Sequence, residues 1–229
     1  MYPWRLSILA LLALAPVSAQ LSDLNSSLRI AVQAMGPYNS STGEVDVEMS
    51  FMNLSAKEIN AFAFRTDTGI VQVPLPKPGP GGATWDSVAS SAAVGRATQP
   101  DDRYVHNMPL NPGESMYSRN PMKPQTLFTV LAVVFADHTA IGDDATIDSV
   151  FRARKASADE LELWIGRGLL RGSGEAKSLC SQMVWTGSPM REVLRQSCPA
   201  IAEKAAGDPF LSYWTDLQNT YRTHSVRKR

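Results

Sequence analysis

Apolar residues alternate with other residues through the first part of the chain and recur at helical spacing through the last part. Leu28, Ile30 and Val32 alternate with Ser27, Arg29 and Ala31, which predicts a strand with one apolar face. Gly36-Pro37 and Asn39–Gly43 break the pattern as a turn. Val45, Val47, Met49 and Phe51 then alternate with Asp46, Glu48 and Ser50, the cleanest half-buried strand in the chain. After a turn at Asn53–Lys57, Ile59–Arg65 is predicted as a strand with Phe62 and Phe64 on one face. Thr66–Gly69 turns the chain again, and Ile70–Val73 forms a short strand before Pro74.

Tyr104–Leu110 and Ser115–Ser118 are predicted as short strands around the Asn111-Pro112-Gly113-Glu114 turn, whose Pro-Gly centre sets the turn geometry. Leu127–Phe135 is nearly all apolar and rich in β-branched and aromatic residues, as a central strand covered on both faces should be. Asp137-His138 occupies the next turn and Thr139–Ile141 runs back.

From Asp143 onward the period changes. Asp143 or Asp144 is a natural N-cap, because its carboxylate accepts amide protons of the first helical turn. Ile147, Val150, Phe151, Ala158, Leu161 and Ile165 fall on one helical face, with Arg152, Arg154, Lys155, Asp159, Glu160 and Glu162 mostly facing away as a solvated charged surface. Gly166 and Gly168 end that helix. Three more helices are predicted: Glu175–Trp185, one from Pro189 to Ala206, and Phe210–Arg222. Leu211, Trp214 and Leu217 share a face of the last one.

The class is therefore α+β: an antiparallel sandwich over residues 20–142, a helical region of about four helices over 143–225, and a basic tail at 226–229 read as frayed. One stretch interrupts the sandwich. Residues 74–102 hold Pro74, Pro76, Pro78 and Pro80 with Gly79, Gly81 and Gly82, and are predicted as a long loop with at most one short helix at Trp85–Val94. Trp85 on such a loop is a candidate binding anchor, with Tyr104 and His106 beyond it.

The β half resembles secreted bacterial immunoglobulin-like or fibronectin-III-like modules. The resemblance is carried by Val45–Asn53, by Leu110–Ser115 feeding a strand, and by Phe128–Phe135 as a late central strand, and covers roughly residues 25–142. It implies an Ig-like sandwich that binds, spaces or displays. The cysteine–tryptophan–cysteine spacing of true immunoglobulin domains is missing.

Composition narrows the partners. Lys+Arg and Asp+Glu are equal at 22 each, which argues against nucleic acid or another polyanion. Apolar residues make up 44%, enough for a real core. Residues 1–19 read as a signal peptide: one cation in Met1–Arg5, an apolar core at Leu6–Ala15, and small residues at Val17-Ser18-Ala19 before cleavage. That core is shorter than the roughly 20 residues of a membrane span. A secreted or periplasmic location without a transmembrane anchor is expected. In that setting Cys180 and Cys198 are expected to pair, stapling the second and third helices into a hairpin, for about 3 kcal/mol.

Chemistry is sparse. The three histidines His106, His138 and His224 lack metal-ligand spacing, and neither a Gly-x-Ser-x-Gly elbow nor a phosphate-binding glycine loop is present. Asp137, Asp143 and Asp144 come nearest to a metal site. They resemble a calcium loop that fails at Ile141, where a side-chain oxygen is needed. Asn25, Asn39 and Asn53 begin Asn-x-Ser sequons. No cofactor is implied. The expected function is an exported, non-enzymatic binding or structural protein for an unidentified protein or surface ligand. The alternative is an exported hydrolase with its site where the 74–102 loop meets the helical half, near His106 or His138.

Overall fold

The computed structural model describes residues 23–67, 82–88, 109–124, 126–166 and 210–228. Within them the order is β1 (Leu28–Ala34), β2 (Val45–Asn53), β3 (Ile59–Thr66), β4 (Gly82–Asp86), β5 (Ser115–Met122), β6 (Phe128–Phe135), β7 (Ala140–Gly142), α1 (Asp144–Gly166) and α2 (Phe210–His224). The fold is mixed α+β with two antiparallel sheets, ordered β1-β2-β5 and β4-β3-β6-β7.

Alternation decides how the sheets face each other. Val47, Met49 and Phe51 of β2 turn inward and meet Phe62 and Phe64 of β3 and Val133 and Phe135 of β6 in one shared core. Phe51 touches both phenylalanines, with ring centroids 5.0 Å from Phe62 and 5.4 Å from Phe64. The outward row of the three-stranded sheet carries Asp46, Glu48, Tyr117 and Arg119, as expected for a sheet with one wet face.

The four-stranded sheet is covered on both sides. Its second face presents Ala61, Ala63, Ala132 and Val134 to Ile147, Val150 and Phe151 of α1. Small side chains there let the helix approach closely. Nearly every residue of β3 is therefore buried, not only Phe62 and Phe64. β6 lies between β3 and β7 and is fully buried over its last four residues, while Leu127 just before it is exposed. α2 lies along α1, with Leu217 and Tyr221 buried.

Several expectations change. The 74–102 loop contains a strand: β4 pairs with β3, Phe62 opposite Trp85, so Trp85 and Asp86 are strand where a helix start was expected, while residues 89–94 of that expected helix lie outside the described residues. Prolines and glycines crowd the sequence before it, but Thr84 and Trp85 are strand formers with a partner waiting on β3. β5 extends from Ser118 to Met122, because Met122 reaches the core. Pro121 fits since no strand among the described residues pairs beyond β5. The tail is not frayed at Arg227, which pairs with Asp144 at 2.7 Å and Asp148 at 3.3 Å. The signal peptide, the strands at Ile70–Val73 and through most of Tyr104–Leu110, and the second and third helices lie outside the described residues. Leu110 itself is bridged to Ile59. No described helix is long and apolar enough to cross a membrane.

Candidate functional site

Among the described residues, buried polar groups concentrate where β3, β4, α1 and α2 meet. A bulge begins it. The pairing of β3 with β6 shifts between Ile59 and Ala61, so Asn60 is an extra residue in the strand. Ile59 and Phe62 stay in the core between the sheets, while Asn60 is buried among polar partners. At the end of β4, Asp86 arrives beside it.

Arg154 of α1 closes the cluster. Its guanidinium donates to both Asp86 carboxylate oxygens, from Nε to Oδ2 at 2.9 Å and from Nη2 to Oδ1 at 3.0 Å. Nη2 also donates to Asn60 Oδ1 at 2.9 Å, and Nη1 to the His224 carbonyl at 3.2 Å. Arg154 is 1% exposed and Asp86 4%. Such a pair is tolerable in a dry interior only because the bonds are bidentate and further acceptors complete the shell. Asp86 also accepts from the Val88 amide, and Ser87 donates to the Asn60 carbonyl.

Two histidines stand at the outer rim. His224, at the end of α2, places Nδ1 3.3 Å from Asn60 Nδ2. Arginine has no acceptor, so the Asn60 atom facing Arg154 must be its oxygen. The amide nitrogen then faces His224, whose Nδ1 must accept and carry no proton. His138, in the β6–β7 turn at φ 72°, meets His224 edge to face with centroids 4.8 Å apart. Burial lowers the pKa of both rings, aided at His138 by Lys228 and Arg154 and at His224 by Arg154 and His138. Asp137 opposes the shift at His138, as Asp86 does at His224.

The residues singled out in the sequence scatter. Trp85 is 7% exposed and stacks on Phe62 at 5.1 Å, so it offers no anchor on the surface. Tyr104, His106, Cys180 and Cys198 lie outside the described residues. Asp137, Asp143 and Asp144 each have a separate partner. Asp137 pairs with Lys57 at 2.8 Å, and bonds from Lys57 and Thr139 hold its carboxyl well below the usual range. Asp143 accepts from the Thr146 amide and hydroxyl, which lowers its pKa and caps α1. Asp144 is held by Arg227. Among the described residues no group of three His, Cys, Asp or Glu stands ready for a metal ion. Asn53 is fully buried, donating to the Lys57 and Leu110 carbonyls and accepting from Ser55.

The sequence marks none of Asn60, Asp86 and His224 as site residues, and Arg154, expected on the solvated face of the helix, is instead buried. Arg154 had a signal: it falls at helical spacing between Phe151 and Ala158, inside the apolar stripe and not opposite it. No family model, curated protein or solved structure matches the chain.

Proposed function

We propose that the chain is an exported binding or structural module built on a fibronectin-III-like sandwich, with the helical region packed on one sheet. What supports the sandwich reading is the strand order: a three-stranded sheet β1-β2-β5 facing a four-stranded sheet in which β4 has joined β3, β6 and β7. Export is read from the signal-like first 19 residues.

One observation carries the binding function. Met35, Tyr38 and Leu127 are 45%, 58% and 68% exposed. All three belong to one end of the sheets, where β1 and β5 finish and β2 and β6 begin. The opposite end exposes two such side chains, Leu54 at 39% and Val226 at 62%, but there polar groups are bonded to one another: Asn53 to Leu110, Lys57 to Asp137, His138 to Lys228. A sandwich that gathers three large exposed apolar side chains at one end is arranged to hold a partner there. The polar cluster at the helix junction suits a structural role better than catalysis, because Arg154, Asp86 and Asn60 are buried and bonded to each other.

The test uses the parent chain and a Tyr38→Ser/Leu127→Ser variant. Both sites are exposed, so the unfolding free energy from urea titration should change by no more than about 1 kcal/mol for the two substitutions together. The parent should be retained by the envelope fraction of the exporting cell and the variant should not. Equal retention of the two would remove this end of the sandwich as the contact. A turnover of ester, peptide or glycoside substrates that a single substitution at Asp86, His138 or His224 abolishes would replace the module with the hydrolase alternative.

A further inference from the structure

The two histidines sit on a strap. From His224 the chain crosses the β6–β7 turn and the start of α1. The Lys228 amide donates to the His138 carbonyl at 2.9 Å, and Arg227 grips Asp144 and Asp148. Beneath the strap, the His224 carbonyl is tied to Arg154 and its ring to Asn60.

Neutral imidazole is built into this geometry. Arg154 fixes the Asn60 amide so that an N–H group points at His224 Nδ1. A proton on Nδ1 would set donor against donor with no rotation of Asn60 available, since turning it would point NH2 at the guanidinium. The ring of His138 is in contact at 4.8 Å, so charging both rings adds like-charge repulsion. The other charged groups around the pair come from every element packed on it: Arg154 from α1, Lys228 from the strap, Asp86 from β4 and Asp137 from the turn. Each carboxylate is already bound to a cation, Asp86 to Arg154 and Asp137 to Lys57.

We infer that His138 and His224 form an acid-sensitive clasp, and that protonation releases residues 224–228 from the sheet while the core between the sheets stays folded. Release uncovers the β6–β7 turn and frees Asp144 and Asp148, near the start of α1, from Arg227. The clasp stands independently of the binding function proposed above, because it involves the other end of the sheets.

Hydrogen exchange of the whole chain at pH 7.5 and pH 5.0, corrected for intrinsic rates, tests it. Below the free imidazole value of about 6.5, protection of the Lys228 amide should fall by about tenfold per pH unit for each histidine that gains a proton on release. The amides of β3 should keep theirs. Unchanged Lys228 protection at pH 5.0 would overturn the clasp, and so would a loss shared equally with β3, which is global unfolding. Asn60→Asp supplies an acceptor where the donor stood, so its strap should stay closed at pH 5.0. An Asn60→Asp variant that releases as the parent does would also overturn the clasp. Should that variant fail to fold, imidazole 15N shifts of the parent at pH 7.5 decide. A bare Nδ1 on His224 is required, and a protonated Nδ1 would sink the mechanism.

Discussion

Arg154 is the residue on which the helical layer is registered. It lies within the apolar stripe of α1, yet its guanidinium binds β4 through Asp86, β3 through Asn60 and α2 through the His224 carbonyl. Cutting it to an apolar side chain leaves the Asp86 carboxylate buried without its cation. Arg154→Met should therefore cost about 3–5 kcal/mol, read as a drop in the urea midpoint. In an Asp86→Asn background the same substitution should cost clearly less, since no charge is then stranded. Equal costs in the two backgrounds would show that Arg154 acts by packing over the Phe151 ring, 5.6 Å away, and not by pairing. A composition-based reading places arginine on the wet face of a helix because free arginine belongs there. Only the position in the stripe contradicts that, and the partner that makes burial affordable lies 68 residues away in sequence.

At the level of elements, the join between β7 and α1 holds the most tightly enclosed of the described glycines. Gly142 adopts φ 117°, and a Cβ there would collide with the Leu131 carbonyl and the Ala132 Cα. The same carbonyl accepts from the Asp143 amide at 2.8 Å, so it cannot move aside freely. Gly142→Ala should destabilise by about 2 kcal/mol or more, combining a strained backbone with displacement of β6. Asp143→Ala, one residue on, removes only the cap and should cost about 1 kcal/mol. Thermal unfolding of the two variants gives the ranking, and a larger loss at Asp143 would contradict it. Elements of this kind were legible wherever pattern and punctuation agreed: β2 from strict alternation, the turn at Asp137-His138, the cap at Asp143 or Asp144, which the structure assigns to Asp143. The sheet partner of a strand was not. β4 sits inside a run of prolines and glycines, and nothing local says that β3 will pair with it and draw Trp85 into the core. The Asn60 bulge is likewise invisible along the chain, because only the slip against β6 creates it.

For the whole molecule, the three layers make stability depend on pH in a definite direction. The folded state lowers the pKa of His138 and His224 from the ordinary imidazole value of about 6.5. Below that value the unfolded chain binds protons that the folded chain refuses, so stability rises with pH there and falls as acid is added. It is fully present above about pH 6.5 and is lost as the pH drops through the folded-state values. Asp137 and Asp143 act in the same sense but in a lower window, below the ordinary carboxyl range. The Lys57–Asp137 pair is about half exposed, so water and salt screen it and its share is small. Urea midpoints between pH 8 and 5 should thus be flat at first and then decline. A His138→Gln/His224→Gln variant should stay flat throughout that range. The decline has a further signature if the clasp opens before the core does. Once residues 224–228 are released, the two imidazoles titrate as they would in the unfolded chain, and the folded core binds as many protons as the unfolded state. The slope should then vanish again toward pH 5, leaving a step and not a continuous ramp. A ramp continuing down into the carboxylate window would mean that the strap and the core unfold as one unit.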